Sequence, residues 1–299
     1  MENLTKCPIC SGTEIPELLT CKDYVSSSEN FKITLCNNCS LQFTNPRPTE
    51  NKIGIYYQSD KYISHSGSEK KNLGFIYTIY DIVRNFSINR KLNIIKKYNP
   101  NGRLLDLGCG MGYFINGVKA DKNFEFDAAD VSDEAINYVK ENFNIQVLNE
   151  SNLDSIPNEN YDVITQWHVL EHVHRVDERM LFLKRVLKPN GTMFIAVPIN
   201  DSFDAKYYKK FWDGYDVPRH LLHFNRKSFK HLMQKHGFNV VAEKALIFDA
   251  PYISMRSEIH SNNKLSMLKG ALIGTISNIS ALFTKNYSSI MFIVKHNED

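Results

Sequence analysis

The sequence predicts an α/β fold, a parallel sheet wound on both faces, with a small cysteine-bearing module in front of it. Three observations carry that prediction: a strand breaking into a glycine-rich turn at Arg103–Gly112, alternating strand and helix patterns after it, and two Cys-x-x-Cys pairs before residue 40. In the glycine segment Leu104, Leu105 and Leu107 make the strand, Asp106 sits just before the turn, and Tyr113 to Lys119 can continue as a helix. Gly108, Gly110 and Gly112 let the main chain approach a ligand closely, so the turn reads as a nucleotide-cofactor cradle. A second strand, Phe124 to Ala129, ends in Asp130, where an α/β nucleotide site places a carboxylate on ribose hydroxyls. The arrangement is Rossmann-like.

The chain begins with Cys7-Pro-Ile-Cys10 and Cys36-Asn-Asn-Cys39. Each pair can place two thiolates on one tight turn, and two such turns close a tetrahedral shell with no position left for water. Cys7, Cys10, Cys36 and Cys39 are therefore expected to hold a structural zinc, and residues 1–44 to form a zinc ribbon with a short strand at Phe31–Leu35. The ribbon is expected to be a module whose loss leaves the cofactor site intact. Cys21 and Cys109 are left over, Cys109 as a small residue of the glycine turn.

Asn45-Pro-Arg-Pro48 opens a linker, since its two prolines refuse a helix interior and a central strand alike. Residues 45–98 are read as linker and helical lid, with Phe75, Ile79, Ile82, Val83 and Phe86 at helical spacing. Residues 99–299 form the α/β domain. Near its end two closing strands, Val240–Phe248 and Ser289–Lys295, flank an amphipathic helix marked by Leu265, Leu268, Leu272, Ile276, Ile279 and Phe283. That stripe is expected to pack on the core; the sharper alternative is an acceptor-pocket wall or a weak membrane-surface contact through 264–283, helped by Lys264 and Lys269.

Composition bounds the function. With 36 basic and 33 acidic residues the formal charge is only +3, which does not suggest a nucleic-acid platform. The first residues, Met1-Glu-Asn-Leu-Thr-Lys, carry no apolar run behind basic residues, so a soluble cytoplasmic protein is expected.

Asp106-Leu-Gly-Cys-Gly-Met-Gly112 resembles motif I of the class I S-adenosylmethionine-dependent methyltransferases, and Asp130-Val-Ser-Asp-Glu-Ala-Ile136 resembles their second motif. Asn152-Leu153 stands where that family contacts adenine, with an amide where an acidic residue is common; Tyr161 to Val173 resembles its fourth strand and exit, and Leu187 to Pro198 its turn into strand five. The resemblance covers roughly residues 100–200. It implies S-adenosylmethionine bound by Asp106, Gly108, Cys109, Gly110, Asp130, Val131, Asn152, Leu153, Gln166 and Trp167. The aromatic stretch Tyr56 to His65 resembles the cofactor lid of zinc-ribbon members, which adds Tyr57.

Pro218-Arg-His-Leu-Leu-His-Phe224 resembles a signature found among polysaccharide, lipid and natural-product methyltransferases. The resemblance implies O-methylation of a small molecule, glycan or lipid or natural-product precursor. If a base is used, His168, His220 and His223 are its candidates, because an unperturbed imidazole titrates near neutrality. Glu171 and His172 are similar to residues that bind a divalent ion in some quinone-ring methyltransferases, or serve to cap and pack a helix. The alternative is a ribosomal or transfer RNA methyltransferase using the ribbon for RNA contact. Against it stand a mildly acidic ribbon region, in which Glu2, Glu14, Glu17, Asp23, Glu29 and Glu50 outnumber Lys6, Lys22, Lys32 and Arg47, and the absence of a Pro-Cys nucleophile.

Overall fold

The computed structural model describes residues 1–58, 74–263 and 265–297, with side chains from Ile82 onward in the helix that begins at Gly74. Three strands open the chain, β1 (Glu17–Lys22), β2 (Asn30–Leu35) and β3 (Gln42–Thr44), in an antiparallel meander. Helix α1 (Gly74–Tyr98) leads into β4 (Gly102–Leu107), α2 (Tyr113–Val118), β5 (Phe124–Asp130), α3 (Asp133–Phe143) and β6 (Val147–Asn149). Then come β7 (Tyr161–Trp167), α4 (Val176–Val186), β8 (Leu187–Pro198), α5 (Phe203–Tyr208), β9 (Leu222–His223), α6 (Arg226–Lys235) and β10 (Phe238–Ala245). A helical hairpin, α7 (Asp249–His260) and α8 (Ser266–Thr284), precedes β11 (Ser289–His296).

The main sheet has the order β10-β11-β8-β7-β4-β5-β6. From β8 to β6 it is parallel, while β11 runs antiparallel to both β8 and β10. The central strands are buried on both faces, as their apolar runs require. Chain order reverses between β4 and β7, which opens a crevice at their carboxyl ends.

Three expectations change. The ribbon is not a free-standing module: β3 pairs with β9, so residues 222–223 complete its sheet, and Ile9, Leu41 and Phe43 share one apolar core with Leu221, Phe224 and Phe229. A three-stranded sheet has too little apolar surface to be stable alone and borrows the α/β domain's. Nor is α1 a lid along its whole length. Ile88, Leu92 and Ile95 bury it against Phe114, Ile115 and Phe194, whereas Ile82 and Phe86 of the expected stripe are exposed.

The stripe on α8 also faces away from the core. Gly270, Ile273, Gly274, Ser277 and Ala281 are buried, and Leu265, Leu268, Leu272, Ile276, Ile279 and Phe283 are exposed. The backbones of α7 and α8 touch, so only small residues fit between them: a Cβ on Gly274 would stand 2.4 Å from Pro251 Cα. Lys264 lies outside the described residues.

Candidate functional site at the carboxyl edge of the sheet

The glycine turn leaves β4 in the left-handed region. Gly108 has φ 78°, and a Cβ there would come within 2.5 Å of a Val169 methyl. Gly110, φ 52°, has no atom within 4 Å of where its Cβ would stand, so the turn borders open space. Gly110 N donates to Asp130 Oδ2 (2.7 Å) and Ser132 N to Asp130 Oδ1 (2.9 Å). The carboxylate is thereby fixed between the turn and the start of α3, with lone pairs left to accept from a diol.

Behind the turn, Asp106 is fully buried; its Oδ1 accepts from Thr165 Oγ1 (2.7 Å), Oδ2 has no partner, and burial pushes its pKa up to about 7. Gln166 is fully buried with both amide atoms unpartnered, and Trp167 Nε1 is unpartnered as well. Trp167 lies edge-to-face with Phe114, and Lys91 Nζ sits 4.0 Å from its ring centroid. Unpaired buried polar atoms at the ends of neighbouring strands suit a ligand that brings its own donors and acceptors. Val131 is exposed, and Asn152 is exposed in the 3-10 turn Glu150–Ser155 whose Leu153 is buried. These side chains follow β5 and β6, beside the same crevice. Burial pushes the Cys109 thiol up, away from the thiolate form a nucleophile needs. The donor set, the open glycine and the fixed carboxylate fit an adenosyl cofactor.

The histidines divide by environment. His168 (φ 58°) places Nδ1 3.2 Å from Glu171 Oε1 and Nε2 3.2 Å from Asp249 Oδ2 on α7. Burial works against the imidazolium, but the bonds to Asp249 and Glu171 outweigh it and hold the pKa up at about 9. Both nitrogens of a cation are donors, so His168 has no lone pair with which to act as a base. His223 is buried on β9 with Nε2 3.1 Å from Thr44 Oγ1; burial disfavours its charge, and it ties the ribbon's sheet to the domain.

His172 is the sequence-level omission from the base candidates. Its Nδ1 lies 2.9 Å from Tyr57 Oη and 3.0 Å from the Arg219 carbonyl. A carbonyl only accepts, so Nδ1 carries the hydrogen and Nε2 the lone pair. Burial first, and then His220, lower its pKa to about 4, which keeps the ring neutral. His220 stands edge-on to it with centroids 4.6 Å apart and is fixed by Nδ1 to Gly214 O (2.9 Å). Glu171 is buried with Oε2 unpartnered, and Glu171, His172 and His220 offer ligand atoms within 4.8 Å of one another, close enough to share a cation. The signal is the Leu-Glu-His run itself; its partner Tyr57 is 115 residues away in sequence, and His220 lies beyond β8. Of the lid stretch only Tyr56 to Gln58 lie within the described residues.

Arg219 joins these parts. Its Nη1 donates to Tyr56 O (3.0 Å), Nη2 to Asp23 Oδ1 (3.1 Å), both buried, and Nε to half-buried Asp216 Oδ2 (3.0 Å).

In the ribbon the two knuckles repeat one hydrogen-bond pattern: Cys7 N to Gly12 O with Ser11 N to Cys7 O, and Cys36 N to Leu41 O with Ser40 N to Cys36 O. Sulfurs stand 3.6 Å apart for Cys7 and Cys39 and 3.4 Å for Cys10 and Cys36, and all four lie within 4.8 Å. Zinc bonds of about 2.3 Å at tetrahedral angles put sulfurs about 3.8 Å apart, whereas a disulfide needs about 2.05 Å. The cluster fits zinc. Cys21 sits apart among Trp212 and Tyr215, its thiol raised to about 12 by burial.

A family model described as a methyltransferase domain matches residues 83–243, more than half of the chain, so the chain belongs to the class I S-adenosylmethionine-dependent methyltransferases. Among curated proteins it is similar to the ubiquinone biosynthesis O-methyltransferase of Rickettsia bellii, 34% identical over 143 residues, 45% of this chain and 58% of the relative. The same enzyme of Rickettsia canadensis is 32% identical over 142 residues, with the same coverage. The chain thus spans under two thirds of these relatives' length. A solved structure from Galdieria sulphuraria, provisionally described as a sarcosine dimethylglycine methyltransferase, shares the fold at TM-score 0.50 and 17% identity, over 71% of this chain and 85% of that one.

Proposed function

We propose that the chain transfers a methyl group from S-adenosylmethionine to an oxygen of a small molecule, glycan or lipid-type precursor, with a structural zinc in its ribbon. The observation that carries the reading is the Asp130 carboxylate pinned by Gly110 N and Ser132 N beside an open left-handed glycine. The oxygen acceptor is supported by the likeness to the Rickettsia relatives, which are named O-methyltransferases.

When bound, the cofactor supplies a sulfonium-activated methyl group. The protein's share is positioning: Asp130 takes the ribose diol, the glycine turn admits the chain of the cofactor, and Gln166 and Trp167 offer unpaired polar atoms at the crevice. His172 Nε2 offers a neutral ring's lone pair to the acceptor's hydroxyl and orients it toward the methyl group, and Tyr57 and the Arg219 carbonyl hold the ring in that tautomer. His168, held as a cation, orients Glu171 instead.

Titration calorimetry with S-adenosylhomocysteine should show one site, weakened at least about tenfold in Asp130→Ala, the loss of a charge-assisted pair of hydrogen bonds. His172→Gln should keep that affinity and lose turnover. Tight binding of a nicotinamide dinucleotide in place of S-adenosylhomocysteine would overturn the assignment.

A further inference from the structure

We infer that the outer face of α8 is a docking surface for an anionic membrane, on which the helix lies in the plane of the lipid headgroups. Its side chains carry the inference. Leu268, Leu272, Ile279, Leu282 and Phe283 are each more than half exposed, Phe283 at 84%, and Ile276 is exposed beside them. Scattered exposed leucines need no account, but a continuous aliphatic face of this length on one helix does.

The exposed charges on and beside α8 are lysines, and the acidic groups next to them, Glu258 and Asp201, are buried and half-buried respectively. From Leu265 to Lys285 the sequence contains no acidic residue, and its charged residues are Lys269 and Lys285. Helix α5 packs on α8, and it and the turn after it add exposed Lys206, Lys209 and Lys210. Lys269 is held by Glu258, which is buried. An apolar face with Lys285 at its end and exposed Lys206, Lys209 and Lys210 on and just after the neighbouring helix matches a bilayer surface bearing anionic headgroups. Against a second copy of the chain, a two-fold contact through the same face would set those lysines against each other.

By length and composition α8 is the helix, among the described residues, that could cross a membrane. Its inner face makes that arrangement incompatible with the fold. Gly270 and Gly274 press on the backbone of α7, where a Cβ would stand 2.4 Å from Met255 Cα and Pro251 Cα respectively. Ser277 Oγ donates to buried Asp204 Oδ1 (2.7 Å), and Asn278 Nδ2 to Ile247 O (2.8 Å). The helix therefore meets the lipid while still packed on the protein.

The test is co-sedimentation of the full chain with phosphatidylcholine vesicles and with vesicles containing phosphatidylglycerol, beside light scattering without lipid. Expected are a monomer and pelleting with the anionic vesicles that falls steeply with added salt. Leu272→Asp with Ile276→Asp, both at exposed positions, should reduce partitioning by about tenfold or more, and Lys206→Glu with Lys210→Glu should reduce it on anionic vesicles. Cofactor affinity and melting temperature should stay unchanged in both variants. The inference is overturned if the chain stays in the supernatant with both vesicle types, or if pelleting is indifferent to both double variants. It is likewise overturned if the chain is a dimer that Leu272→Asp dissociates.

Discussion

His168 stands in a left-handed backbone conformation between Glu171 of its own loop and Asp249 of α7, and its protonation state is a statement about stability. Its folded pKa, about 9, lies above the value of about 6.5 expected unfolded. Its contribution is therefore complete below about pH 6.5 and is lost as pH rises through about 9. We expect wild type to melt above His168→Gln at pH 6, with the gap closing by about pH 9.5. A gap that widens with pH, measured by thermal unfolding, would refute the imidazolium clamp. The glycines were legible in sequence because strand, turn and helix are contiguous there. The histidines were not: His168, His172, His220 and His223 are equivalent in sequence, and distant residues decide which holds a charge, which carries a lone pair and which only braces β3.

At the scale of elements, the connection of ribbon, lid and sheet runs through the segment after β8. Arg219 has no exposed side-chain surface and meets Asp23 of the ribbon, the carbonyl of Tyr56 and Asp216. Burial alone would raise both carboxyls, but the guanidinium, with backbone donors at Asp23, holds each below the usual carboxylate range. Arg219→Met leaves two poorly solvated carboxylates without their cation, which should cost about 3 kcal/mol in a urea titration, recovered in part by adding Asp216→Asn. A loss under about 1 kcal/mol would show that the pairs contribute no more than surface contacts. The sequence marked Pro218 to Phe224 as a signature but not its reach into the ribbon, since pairings 196 residues apart leave no local pattern. On α8 the helical period was legible and the buried side was not. Periodicity finds an apolar stripe; here close backbone contact buries Gly270, Gly274, Ser277 and Ala281 with Ile273 beside them and turns the other large residues outward.

The whole molecule has a common core rather than a ribbon beside a domain. Ile9 and Leu41 lie against the apolar cluster that runs through Leu221, Phe229 and Phe292, and β9 completes the ribbon's sheet. Lys235 Nζ donates to Ile9 O (2.8 Å), adding α6 to the same contact. A separate module of 44 residues would melt on its own and leave the α/β domain's transition unmoved. This arrangement predicts the opposite. Cys36→Ser removes one of the four cysteines of the proposed shell, and the energy of zinc binding there would be folding energy for the knuckles. The cost therefore falls on the shared core. Elemental analysis should find about one zinc per chain in the wild type and less than half of that in Cys36→Ser. Calorimetry should show a single unfolding transition in both, shifted down by about 10 °C in the variant, as a loss of several kcal/mol at roughly 2–4 °C each implies. S-adenosylhomocysteine should still bind at temperatures where the variant is folded, because Asp130 and the glycine turn do not touch the ribbon through any hydrogen bond among the described residues. Two resolved transitions, the lower abolished by Cys36→Ser and the upper unchanged, would mean that the ribbon folds independently and that its junction with β9 contributes little.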